Sequence, residues 1–125
     1  MKYIIVSRVG KLNPAELSSV DEFNKKYKIK LINGYQLFHT WECYLDGIIY
    51  ELQLYTKLSG KLINKYKFPP PFNNQSFNSE CLFTCIVNHE IIDLELDLCN
   101  SLLNTLNKKD LYEDQELTTE EYDYF

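Results

Sequence analysis

Asp46-Gly47 stands between two runs rich in aromatic and β-branched residues, 35–45 and 48–57. A two-residue type I′ turn needs positive φ at both positions, and Asp-Gly is among the dipeptides that supply it most readily. The dipeptide therefore pairs residues 35–45 with 48–57 as an antiparallel hairpin. Asn33-Gly34 before it and Ser59-Gly60 after it add two further turns. Strands are expected over 28–32, 35–45, 48–57 and 61–68, forming a meander across residues 28–68. Pro69-Pro70-Pro71 ends that meander, because proline neither donates to a ladder nor continues a strand.

Lys2 to Val9 reads as an N-terminal strand closed by Gly10. Asn13-Pro14 then offers a helix N-cap followed by a first helical residue, and Glu16 places an acid in the first turn. Leu17, Val20 and Phe23 recur at helical spacing, so a helix at about 14–27 is expected. Lys25, Lys26 and Lys28 close it with charge that complements the C-terminal dipole. Residues 72–78 form a polar loop with two aromatic anchors, and 81–87 is an apolar run. Ile92, Leu94, Leu96 and Leu98 alternate with Asp93, Glu95 and Asp97, the period of a strand with one wet face. Leu98, Leu102 and Leu106 follow at spacing four, so a single helix over 79–108 is the competing reading. Strands around 81–98 and a C-terminal helix at about 100–109 are preferred. The expected class is α+β, a mostly antiparallel sheet of five to seven strands with these two helices. Residues 1–109 form a single domain, and 110–125 form a tail with too little apolar material for a core of its own.

Charge divides the chain. Residues 1–67 carry eleven Lys or Arg against six Asp or Glu, whereas 110–125 carry seven acids and no base. The whole chain has a net charge of −5. No apolar run approaches the ~18 residues a membrane span needs, and the first residues are too punctuated for a signal peptide. A cytoplasmic protein without membrane contact is expected. Its four cysteines, Cys43, Cys81, Cys85 and Cys99, lack framework spacing and read as buried reduced thiols.

Three constellations could carry function. The tail interleaves Glu113, Asp114, Glu116, Glu120, Glu121 and Asp123 with Tyr122, Tyr124 and Phe125. Purely solvating tails lack aromatics. Here carboxylates can steer a basic protein partner while rings supply buried area. In the second constellation Lys57, Lys61, Lys65 and Lys67 interleave with Tyr55, Tyr66 and Phe68, the combination that single-stranded nucleic-acid binders use. The final EEYDYF is similar to the acidic C-terminal tip of single-stranded DNA-binding proteins, which docks partner proteins.

The third constellation is HTWECYLDGIIYEL, which begins at His39. It resembles the histidine strand of transglutaminase-like and related papain-fold thiol enzymes. That resemblance implies a thiolate that attacks a carbonyl and an imidazole that takes and returns the proton. No cysteine precedes His39, so the implied order is that of circularly permuted thiol hydrolases, with Cys81 or Cys85 as nucleophile and His39 as base. His39, Cys43, Cys81, Cys85 and His89 also include zinc-ligand types. Residues four apart on a strand, however, lie about 13 Å from one another, so His39 and Cys43 cannot share one ion. No metal or cofactor is expected. The leading expectation is a non-catalytic, acidic inhibitor or immunity-type module that engages a basic protein partner.

Overall fold

The computed structural model describes residues 1–57 and 63–108. The chain is α+β with a mostly antiparallel sheet. Its elements are β1 (Lys2–Val6), β2 (Leu12–Glu16), α1 (Val20–Lys26), β3 (Tyr35–Leu45), β4 (Ile48–Lys57), β5 (Ile63–Asn64), β6 (Phe77–Asn78), β7 (Cys81–Val87) and β8 (Glu90–Ile92). A second helix, α2, covers 96–108. The main sheet runs β2-β1-β7-β4-β3, with β8 also paired to β7. Among the described residues no helix is long and apolar enough to cross a membrane.

The Asp46-Gly47 hairpin forms as its turn chemistry requires. Leu45 pairs with Ile48, and Asp46 and Gly47 take φ of 51° and 78°. Asn88-His89 makes a similar turn between β7 and β8, with φ of 51° and 67°.

Several elements differ from the sequence reading. Pro14 does not open a helix; it lies within edge strand β2, opposite Ile4 of β1. A proline suits that position, because an edge strand can spare one outward N–H. The helix begins instead at Val20. Ser19 caps it, its hydroxyl accepting from the Glu22 amide at 3.1 Å, and Ser19 with Glu22 has the spacing of a capping box. Residues 28–32 form no strand. Lys28, Lys30 and Asn33 all adopt left-handed backbone, at φ 48°, 66° and 65°, and the segment folds into a tight connection. A Cβ at Gly34 would lie 1.9 Å from the Lys28 carbonyl oxygen, so only glycine fits this approach.

The expected fourth strand of the meander over 61–68 does not form beside β4. Of that segment, 61 and 62 lie outside the described residues, and β5 pairs with β6 in a separate two-stranded sheet. The neighbour of β4 is β7. Tyr66 and Phe68 instead turn inward and pack on Phe83. The alternating run 92–98 also resolves differently. Strand β8 stops at Ile92, Leu94 is fully buried, and α2 begins at 96. Cys99, Leu102, Leu103 and Leu106 are its buried positions, at the i, i+3, i+4, i+7 spacing of one helix face.

The two sheet faces are covered unequally. On one, Ile4, Val6, Trp41, Leu52, Leu54, Phe83 and Cys85 pack against α2 and the 63–78 segment. The Trp41 indole N–H donates to the Pro70 carbonyl at 2.7 Å, which holds that segment down. Asn64, 2% exposed, is a second fastening. Its Nδ2 donates to the Val6 and Ser79 carbonyls, each at 3.0 Å, and its Oδ1 accepts from the Tyr66 amide at 2.9 Å. On the opposite face Tyr3, Phe23 and Leu82 form a smaller cluster under α1, joined by Tyr27, Tyr35 and Tyr55.

Candidate interaction face

A two-residue turn at 46–47 sets the register of everything behind it. Glu42 and Glu51 are equidistant from the turn and pair directly across β3 and β4. Glu51 is opposite Ile86 of β7, and Ile86 is opposite Ile91 of β8. One row, Glu42–Glu51–Ile86–Ile91, therefore crosses four strands. Tyr44 opposite Ile49 forms the neighbouring row. Period-2 alternation puts these side chains on the same face as Tyr55 and Leu82. Helix α1 lies over the Tyr55–Leu82 end, and the hairpin end is exposed. Tyr44 is 61% accessible, Ile49 49% and Ile91 36%.

Like charges set directly opposite one another in a sheet destabilise it. Among the described residues neither Glu42 nor Glu51 takes part in an ion pair. The two carboxylates flank a shallow hollow of about 220 Å³ that Ile49, Asn88 and His89 complete. Next to it the surface is fastened by buried polar groups, with the Thr84 hydroxyl donating to Gln53 Oε1 at 2.9 Å. Among the described residues, the face combines two carboxylates that have no ion-pair partner with aliphatic and aromatic area.

The residues singled out in the sequence fare differently. Glu113, Asp114, Glu116, Glu120, Glu121, Tyr122, Asp123, Tyr124 and Phe125 lie outside the described residues, as does Lys61. The basic-aromatic series does not form one platform. Tyr55 packs on Phe23 under α1, whereas Tyr66 and Phe68 pack on Phe83 on the other side of the sheet. Lys57, Lys65 and Lys67 thus lack a shared stacking surface with those rings.

His39 and the two candidate thiols are not brought together. His39 sits in the row of Leu54 and Phe83, two strands from β7. Cys81 and Cys85 are each two residues from Phe83, and strands spaced about 4.8 Å apart put them beyond hydrogen-bond reach of the imidazole. The His39 ring packs 4.7 Å from Trp41 and 4.8 Å from Phe72, and burial lowers its pKa. Burial pushes the Cys81 and Cys85 thiols up to about 12, the reverse of what an attacking thiolate needs. Among the described residues no three His, Cys, Asp or Glu side chains converge as a metal ion would require.

The signal for Glu42 and Glu51 lies in the sequence itself: a two-residue turn with acids equidistant on either side predicts a cross-strand carboxylate pair. Comparison with known proteins returned no match to a family model, a curated protein or a solved structure.

Proposed function

We propose that this chain is a non-catalytic protein-binding module that engages a basic protein partner, in the manner of small acidic inhibitor or immunity-type proteins. The observation that carries this reading is the Glu42–Glu51 pair, directly opposed, without an ion pair among the described residues, and bordered by exposed Tyr44 and Ile49. A neutral residue at either position would relieve the repulsion, and so would a cation from a partner. Carboxylates at such a surface speed and orient encounter, while the ring of Tyr44 and the aliphatic side chains supply area to bury. The acidic-aromatic tail, with Glu120, Glu121, Tyr122, Asp123, Tyr124 and Phe125, adds chemistry of the same kind.

The test is retention of a basic protein from host lysate on the immobilised full chain. It is repeated with Glu42→Gln/Glu51→Gln and with residues 111–125 deleted. A partner that elutes with salt and is retained on the order of tenfold less by the double variant is the expected result. Equal retention by all three proteins sinks the reading.

A further inference from the structure

The two end strands of the path β2-β1-β7-β4-β3 are built differently. Strand β2 is five residues long and carries Pro14, so it offers little to a further strand. Strand β3 is eleven residues long and holds neither proline nor lysine, the residues that blunt an exposed edge. Its single irregularity is a bulge between Leu37 and His39. Beyond that bulge the edge is regular to Leu45.

The turn also fixes which backbone groups are free. With Leu45 and Ile48 as the closing pair of a two-residue turn, Leu45 and Trp41 exchange hydrogen bonds with β4. Thr40, Glu42 and Tyr44 alternate with them, so their N–H and C=O groups point away from β4. Among the described residues no other strand pairs with that side of β3, and no backbone bond outside the ladder involves these three. The side chains of the same three residues stand on the acidic face.

We propose that the basic partner adds an extended strand to this edge of β3, with a lysine or arginine set opposite Glu42. An added antiparallel strand extends the row Ile91–Ile86–Glu51–Glu42 by one residue. That residue lies beside Glu42, with Glu51 one strand further along the row, so the position selects a cation. A second copy pairing through its own β3 does not supply one, because β3 contains no Lys or Arg, and the net charge of −5 on each copy opposes association. The inference rests on the partner being a basic protein and specifies how it is held.

The probe is a short end-capped peptide alternating lysine with valine, titrated into the full-length protein. A matched peptide carries a methyl on the backbone nitrogen of each lysine, which keeps its charge, removes the hydrogen bonds those amides donate to β3 and sets a methyl group against the edge. Expected are salt-sensitive binding of the parent, a loss on the order of a hundredfold for the methylated peptide, and slowed amide exchange at Thr40, Glu42 and Tyr44. Thr40→Pro, which removes one outward N–H, should weaken the parent peptide; because the methylated peptide leaves the protein unaltered, the test survives a poorly folded variant. Equal binding of both peptides, still dependent on Glu42, overturns the added strand and leaves the acidic-face reading intact. Absence of binding by either peptide overturns the added strand, as does a homodimer whose contact protects the same three amides. The lysate experiment then judges the basic-partner reading separately.

Discussion

One face of the sheet is dry and the other is half bare, and the same strands make both. Strand β4 shows the contrast within a few residues: Leu52 and Leu54 are fully buried, whereas Ile49, which looks the other way, is 49% exposed. On the dry side Phe83 meets Trp41, Tyr66 and Phe68, and α2 closes over the cluster. On the other side a seven-residue helix covers only one end. A sheet that folds securely on one face can carry unfavourable chemistry on the other, and the Glu42–Glu51 pair is the clearest instance.

The largest test of this contrast compares matched truncations. Phe83→Ala should cost about 3–5 kcal/mol, because it empties fully packed volume, while Ile49→Ala should cost less than about 1 kcal/mol. Denaturant midpoints at equal m-value would show it, and similar losses for the two would erase the distinction between the faces.

A second test uses alkali. Burial raises the thiols of Cys85 and Cys99 and the hydroxyl of Tyr66 to about 12. Each group is neutral when protonated and has a folded pKa above its unfolded one. Their stabilisation is therefore complete below the unfolded values and is lost as pH rises from about 9 toward 12. Thermal melts should be level near neutrality and fall steeply above pH ~9. A Tm unchanged into strong alkali would contradict the burial of these groups.

The smallest expected effect has the opposite sign. Glu42→Lys places a cation across from Glu51 and should stabilise the free protein by about 0.2–1 kcal/mol while abolishing capture of a basic partner. Loss of stability would mean that the two carboxylates do not repel one another in the folded protein.

The sequence disclosed what short-range chemistry controls. Asp46-Gly47 determined a hairpin and its register, and through it the Glu42–Glu51 pair. It did not disclose contests that long-range packing decides. Asn13-Pro14 fits a helix start and an edge strand equally well, and pairing with β1 chose the strand. Alternation over 92–98 suits a strand, yet Leu94 plugs the core and the spacing of Cys99, Leu102 and Leu106 carries the helix back to 96. Lys57 to Phe68 looked like one surface, but Tyr66 and Phe68 were needed inside. The tail, where the sequence concentrates its acids and aromatics, lies outside the described residues. The acidic face became legible only once the cover of each sheet face was known.

Asn64 has a consequence for time as well as for stability. Its side chain joins carbonyls 58 and 15 residues away in the chain, at Val6 and Ser79. The Ser79 bond can form with the local β5–β6 pair, but the Val6 bond cannot close until the crossing segment lies against β1. A contact made late in assembly is therefore expected, and a φ-value near zero for Asn64→Ala would show it. Interactions absent from the folding transition state act on the rate of opening and leave the rate of folding nearly untouched. A side chain of that kind acts as a brake on unfolding: Asn64→Ala should then speed unfolding far more than it slows folding, and the lifetime of each folded molecule would shorten with it.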